Sequence, residues 1–443
     1  MFYILETDTQ LDRIKSLARL GGYVDIISSN DNYHPKLSFT VAAYIRPINS
    51  KHGFILPIQH DECLNVDKER VSDILNSFSV IYTLDKKSLL YHFNIQHATD
   101  ISLLYSMTHY EKIDYSRENN TLNSFYNKFS DKTNINQFIP ISKLYESCEK
   151  IYEKVKNYIN IEIPSGFNFY NNIATNVFFL IEQTGLGINY DDFIRHFTPR
   201  NPLYNISNDT AYTSYNLYNV TSRPTNAFNS VNFAAIPKGE EYRNTFKPTN
   251  DFFVELDFDG YHLRLLCEQI DFEIPSSSAH KYLAKMYFDK ENITEEEYNS
   301  AKQINFQAIY GKIPEEHKNL TIFKKIQEYI DNMWKSFTEL GYIQNSLSDK
   351  LFTKELKEMH PAKLMNYMMQ SLETARNILI LKEVLSYLRD KQTKIALYTY
   401  DAILFDFSTK DGKETLKGIE KIMESNKKYP IKFKYSKSLN LQD

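Results

Sequence analysis

The stretch S-A-K-Q-I-N-F-Q-A-I-Y-G-K, Ser300 to Lys312, decides how this chain is read. On a helix, Lys302, Phe306 and Tyr310 stand four residues apart and share one face, while Ile304 and Ala308 turn to the other side. The open face offers an ammonium, an aromatic plane and a phenol, and it ends at Gly311, a residue able to stop the helix. Such a row suits a nucleoside triphosphate, with the ammonium on the phosphates, the ring against sugar and base, and the phenol at the far edge. Taken alone, the pattern more often marks an amphipathic helix with one long polar residue. Its neighbours in the chain change that balance.

Upstream, the apolar run Phe252 to Asp257 reads as a strand that ends in Asp257-Phe258-Asp259-Gly260 and leads into a helix from Tyr261 to Ile270. Downstream, Ile395 to Tyr400 and Ile403 to Phe407 read as a β-hairpin with its turn at Asp401-Ala402. Each aspartate singly is more often a cap or turn residue. Brought side by side, two carboxylates repel unless cations bridge them, which is the arrangement for two divalent ions about 4 Å apart. Hard oxygen ligands favour Mg²⁺, with Mn²⁺ as the alternative.

Three of these segments, Asp257 to Cys267 (D-F-D-G-Y-H-L-R-L-L-C), Lys302 to Gly311 and Tyr400-Asp401, resemble in order and spacing the polymerase signatures of the family A DNA polymerases. This is the bacterial polymerase I type, found also in phages. Further pieces agree. Thr213-Ser214-Tyr215-Asn216 with Thr221-Ser222-Arg223 resembles the family's strand leading to T-G-R. Asn232 to Pro237 (N-F-A-A-I-P), with Arg243 and Phe246, resembles N-L-Q-N-I-P and its following Arg and Phe. Asn366 to Gln370 resembles the N-x-x-x-Q-G helix. The resemblance covers roughly Asn171 to Asp443.

It implies a DNA polymerase that adds dNTPs to a primer 3′-hydroxyl on primer-template DNA. Asp257 and Asp401 would hold both metal ions, with the Phe258 carbonyl as a further ligand. Lys302 would neutralise triphosphate charge, and Phe306 and Tyr310 would shape the pocket. Arg223, Asn232, Arg243, Asn366 and Gln370 would touch DNA, some of them through minor-groove acceptors that are alike for every correct pair. For Arg223 a phosphate contact or a structural salt bridge is an equal alternative. Asn366 and Gln370 otherwise read as exposed polar residues.

Departures from the family pattern bear on the nucleotide pocket. His262 stands where the family has a glutamate that works with the tyrosine to exclude a ribose 2′-hydroxyl. Tyr298, four residues before Lys302, replaces a phosphate-binding arginine, so the triphosphate loses a cation unless another basic residue substitutes. The family's H-D-E becomes Tyr400-Asp401-Ala402, and Gln307 replaces a glycine. No expected principal metal ligand is lost.

Residues 1–150 read as alternating strands and helices, with strands at Tyr23 to Ser28, Leu37 to Ile45, Gly53 to Ile58 and Val80 to Thr83. Helices are expected at Leu11 to Leu20, Asp67 to Phe78 and Lys87 to Asn94, and Tyr110 to Asn136 reads as polar and of low order. This segment resembles the ribonuclease H-like 3′–5′ exonuclease domain that precedes many such polymerases. A nuclease of that type needs four carboxylates for its own metals. Asp25 keeps the first, Ile27 stands where a glutamate belongs, Asp85 misses the second site, and Tyr145 with Glu149 reads better as part of a surface helix. The expectation is a degenerate exonuclease-like scaffold.

Residues 151–205 then form a helical connector or reduced thumb. Residues 206–443 form a right-hand polymerase with an antiparallel palm and helical fingers near 271–345. Only 35 residues separate Gly185 from Thr221, far fewer than in the family. The fold class expected is thus α/β followed by α+β.

Composition fits this without demanding it. Among 443 residues, Lys and Arg number 52 against 56 Asp and Glu, so no global basic field advertises nucleic acid, and any cations for DNA are concentrated locally. Weak, salt-sensitive grip is expected, with poor processivity or a processivity factor or other replisome partner. Three cysteines lack metal-ligand spacing and suit a reducing, cytoplasmic setting. Met1 to Leu5 is too short for a secretory signal, and no apolar run nears the roughly 18 residues of a membrane span. A phage-infected or plasmid-bearing bacterial host fits a small polymerase of this kind. Two rivals remain: a related polymerase using rNTPs, prompted by His262, and a non-catalytic DNA-binding replisome scaffold.

Overall fold

The computed structural model describes every residue except 1–2, 18–19, 49, 114–119, 160, 198–204, 208, 227–230, 276, 425–428 and 443. The chain divides into two compact units, one of Met1–Phe179 with Asn201–Ser207, the other of Leu180–Arg200 with Asn208–Asp443. Most of the loop expected at Thr198 to Asp209 lies outside the described residues, as does Ser425 at the end of the expected last helix.

The first unit is built on a five-stranded sheet in the order β3-β2-β1-β4-β5. Its strands are β1 (Gly22–Ser28), β2 (Thr40–Pro47), β3 (Phe54–Pro57), β4 (Ile81–Thr83) and β5 (Ala98–Asp100). β1, β2 and β3 pair antiparallel, while β4 runs parallel to β1 and β5 to β4. Every residue of β1 is buried because helices cover both faces, which explains its almost unbroken apolar run. Val24 and Ile26 face a core shared with Leu11, Val71, Ile74 and Leu89. Tyr23 and Ile27 face another shared with Leu144, Cys148 and Ile151 of the helix Ile141–Val155. By strand alternation Asp25 belongs to this second face.

Two expectations for this unit need correction. Strand β2 begins at Thr40 rather than Leu37, because Pro35–Leu37 forms a 3₁₀ turn capped by His34. The polar segment after Tyr110 contains a helix, Asn120–Lys128, whose Leu122, Phe125 and Tyr126 recur at helical spacing and pack on the second core.

The second unit centres on a four-stranded antiparallel sheet. Its order is Lys394–Thr399, Ala402–Phe407, Phe252–Phe258, Ile431–Ser436. A smaller sheet pairs Leu186–Ile188 with Thr210–Ala211 and Phe246–Lys247. The strand expected over Ala211 to Val220 is broken into two-residue pieces. Tyr215 N–H donates to the buried Glu182 carboxylate at 2.6 Å, where a longer strand would need a ladder partner.

Helices supply the other walls. Thr294 and Glu297 form a reciprocal capping box that starts the helix Glu295–Ile309. Gly311 ends it at φ +75°, where an added Cβ would stand 3.0 Å from the Ala362 Cβ, so both conformation and space call for glycine. Among the described residues no helix is long and apolar enough to cross a membrane.

Candidate active site

The Phe252–Phe258 strand lies between its two partners so that Asp257 faces Ala402 on one side and Lys432 on the other. The 402–407 strand is joined to its neighbour by the two-residue turn Tyr400-Asp401, and Phe258 N–H reaches the Asp401 carbonyl at 3.3 Å. Asp257 and Asp401 therefore meet at one end of the sheet. Tyr400 adopts φ +63°, a conformation costing of order 1 kcal/mol or more for a bulky residue. Asn377 holds it there. Its Nδ2 donates to the Tyr400 carbonyl (2.6 Å) and to Tyr398 Oη (2.9 Å), while its Oδ1 accepts from Tyr261 Oη (2.7 Å).

A cavity of about 320 Å³ opens at this point. Nine residues singled out from the sequence line it: Arg223, Asp257, Phe258, His262, Tyr298, Lys302, Phe306, Tyr310 and Asp401. The helix Glu295–Ile309 and its C-cap residue present Lys302, Phe306 and Tyr310 to the open side, with Phe306 and Tyr310 each 44% exposed. Ala301, Asn305 and Ala308 are buried behind them, while Ile304 is half-buried. An aromatic ring and a phenol left this open beside buried neighbours are prepared for a flat apolar ligand. Asn232, Arg243, Asn366 and Gln370 stand outside the cavity lining. Gln370 donates to Asn366 Oδ1 at 2.9 Å and accepts from Thr221 Oγ1 at 3.3 Å.

Burial and neighbouring charges set the charge balance of the cavity. Asp257 is pushed up to about 6 by burial, then by Asp401 and Glu255, with Lys434 and Lys432 opposing. Asp401 is also raised, by burial and then by Glu373, against His262 and Arg223. Protein surrounds the Asp401 turn, yet its surface is exposed. That exposure lets water screen the Asp401 charge more than that of the half-buried Asp257.

Burial makes both carboxyl groups resist ionising, and their oxygens are hard donors suited to Mg²⁺. The set is incomplete by itself. Among the described residues no three His, Cys, Asp or Glu side chains come together to hold a metal. The Phe258 carbonyl, water and substrate phosphates would have to complete it, which is the usual situation for Mg²⁺ at phosphate sites.

A stability prediction follows. The Asp257 carboxyl ionises later in the folded chain than in the unfolded one, so the metal-free fold loses stability as pH rises from about 4 to about 6 and stays lowered above that. Asp257→Asn should therefore stabilise the metal-free protein by about 1 to 2 kcal/mol at pH 7.5, allowing for partial solvent screening, and have little effect at pH 3.5. Urea unfolding in EDTA at the two pH values measures this.

Several lining residues gave no signal in the sequence. Glu373, whose side chain is 2% exposed, comes from the long helix Pro361–Tyr387. Its carboxylate stands 3.0 Å from Arg223 and 3.1 Å from His262. Arg223 also stacks on the Tyr400 ring at 3.7 Å, so the salt-bridge alternative for this residue is realised. A carboxylate thus sits beside His262 although position 262 itself carries none.

His280 lines the cavity against Phe306, with Nδ1 at 2.9 Å from Asn305 Nδ2. Burial, aided by Lys302, Lys432 and Arg264, pushes this imidazole down to about 4 against the pull of Asp259. It is neutral at physiological pH. Asp259 is buried and binds Lys432 at 2.6 Å.

The sequence-selected groups of the first unit are engaged within its own fold. Asp25 is 5% exposed beside a fully buried Ile27. Asp85 caps the helix Lys86–Phe93 through the backbone of Lys87 and Ser88. Tyr145 and Glu149 do not belong to a surface helix face. Tyr145 is buried, and Glu149 accepts from Tyr44 Oη (2.7 Å), Arg46 (2.9 Å) and Gly53 N–H (3.1 Å). These partners hold the Glu149 carboxyl low despite its burial.

No protein-family model matches the sequence, and no curated protein matches it. Among solved structures, the chain is similar to the POL domain of Pol1 from M. smegmatis, determined in complex with DNA primer-template and dNTP. The TM-score is 0.69 over 99% of each chain, at 12% identity. The chain therefore shares the fold of that domain. At this identity the likeness speaks for the fold, and the chemistry rests on the residues of the cavity.

Proposed function

We propose that this protein is a DNA-templated DNA polymerase, in which a primer 3′-hydroxyl attacks the α-phosphorus of a dNTP and pyrophosphate leaves. The observation that carries the reading is the convergence of Asp257, Asp401, Lys302, Phe306 and Tyr310 on one cavity from separate elements. The similar structure is itself a complex with primer-template and dNTP, which supports the same choice of ligands.

In this reading Asp257 and Asp401 hold a pair of divalent ions, with the Phe258 carbonyl as a further ligand. Such ions, when bound, lower the pKa of the attacking hydroxyl and offset charge on the leaving group. The Lys302 ammonium pairs with the phosphates, Phe306 takes the base and sugar against its ring, and Tyr310 bounds the far edge. His262, backed by Glu373, forms the wall beside the sugar. Arg223, clamped by Glu373 and Tyr400, fixes the floor next to Asp401 and borders the duplex. Asn232, Arg243, Asn366 and Gln370 are assigned to DNA outside the cavity. Positioning and charge neutralisation carry the catalysis.

The first unit is read as a degenerate 3′–5′ exonuclease-type fold kept as a scaffold. Its mixed sheet, with two parallel strands beside three antiparallel ones, supports that fold. The closed Glu149 network and the burial of Asp25 beside Ile27 argue against a working metal site. The purified protein should leave 3′-labelled single-stranded DNA intact in Mg²⁺ over hours, as followed on a sequencing gel; steady shortening would refute this part. A shortened thumb and a net charge of −4 predict distributive synthesis that weakens steeply with salt unless a partner supplies grip.

The test of the whole reading is primer extension with Mg²⁺, run with dNTPs and rNTPs in parallel. Extension restricted to dNTPs is expected. Equal use of rNTPs would favour the ribonucleotide-using rival, and no extension with either would favour the non-catalytic scaffold.

A further inference from the structure

We propose that Lys432 is the second phosphate cation of the cavity, its ammonium pairing with the β- and γ-phosphates of the incoming nucleoside triphosphate. The inference rests on the polymerase reading and assigns one more residue to the nucleotide site. A fully ionised triphosphate carries four negative charges, and one bound divalent ion leaves two. The helix Glu295–Ile309 supplies a single lining cation, Lys302, because the residue one turn earlier is Tyr298 rather than a lysine or arginine. His280 is kept neutral by its burial. Arg223 lines the same space, but it is bound to Glu373 at 3.0 Å and stacked on Tyr400. Lys432 is the remaining Lys or Arg among the described lining residues.

Its placement suits the task. Lys432 lies on the edge strand Ile431–Ser436, directly opposite Asp257 in the register, so it enters the cavity from the carboxylate side rather than the helix side. Lys302 and Lys432 then address the phosphates from two walls, as a chain of three phosphates requires. Lys432 is also available. Its side chain is 54% exposed, and its partner Asp259 keeps other support from Ala279 N–H at 3.2 Å and Arg264 at 3.8 Å. When the ammonium turns to a phosphate, Asp259 is left buried but still paired, which keeps the exchange inexpensive. Lys434, two residues on, pairs with Glu255 at 3.4 Å and does not line the cavity.

The test is single-nucleotide primer extension at varied dNTP concentration with the full chain, together with inhibition by inorganic pyrophosphate. Lys432→Ala should raise KM for dNTP about tenfold or more, with kcat changed less than about threefold, the pattern of lost charge-assisted binding. Pyrophosphate inhibition should weaken in parallel, because the contact is to phosphate alone. Lys432→Arg should restore both. Should the alanine variant melt early, Lys432→Gln, which can still donate to Asp259, carries the same expectation. An unchanged KM and unchanged pyrophosphate inhibition in a folded variant, alongside an active parent, would overturn this assignment alone. A parent protein with no extension activity would overturn the polymerase reading and this inference with it.

Discussion

Asp257→Ala and Asp401→Ala should each reduce primer extension by about 10³-fold or more, roughly 4 kcal/mol of transition-state stabilisation. Asp257 lies near the end of one strand and Asp401 in the turn before another, so the two meet only in the folded sheet, where burial and neighbouring carboxylates raise both carboxyl groups. With one carboxylate removed, the other cannot hold two divalent ions, so the double variant should lose little more than either single one. The alanine variants should stay folded, because removing either charge relieves repulsion in the metal-free site. Single-turnover extension alongside thermal melting separates loss of chemistry from loss of fold. Clear extension by the double variant would refute the metal assignment.

Lys302→Ala should lower kcat/KM for dNTP by about 10²-fold, near 2.7 kcal/mol, with Lys302→Arg recovering part of it. The effect is large because the ammonium lies on the exposed face of a helix anchored behind by Ala301, Asn305 and Ala308, so no neighbouring side chain can take its place without moving the helix. It should also exceed that of Lys432→Ala, since in the proposed reading Lys302 pairs with the phosphates directly while Lys432 would first have to give up Asp259. Nucleotide titration of extension by the two variants measures both. Equal and small effects would place the phosphates elsewhere.

The Lys302, Phe306 and Tyr310 row was legible in the sequence because a four-residue period is a local property, and helical geometry turns it directly into a face. Asp257 could be placed for the same reason, at the end of a strongly apolar strand, and Asp401 at a hairpin turn. Contacts that depend on long-range register were not legible. Glu373 sits in L-E-T-A, a string that gives no hint of which way the carboxylate points, and only packing of the long helix brings it to His262 and Arg223. Lys432 becomes a cavity residue only through its pairing opposite Asp257. In the first unit the helix Asn120–Lys128 was hidden by its polar composition, although its three apolar residues hold the right spacing. Glu149 likewise looked like a solvated charge until the sheet brought Tyr44 and Arg46 to it.

The central claim is that Asp257 and Asp401 share a pair of divalent ions. The most direct measurement is anomalous scattering from crystals of the protein with primer-template, dNTP and Mn²⁺, using a primer that lacks the 3′-hydroxyl. Two peaks about 4 Å apart, each within coordination distance of one or both carboxylates, are predicted. Carboxylates more than about 10 Å apart in that complex, too far to bridge a metal pair, with no Mn²⁺ peak between them, would contradict the account.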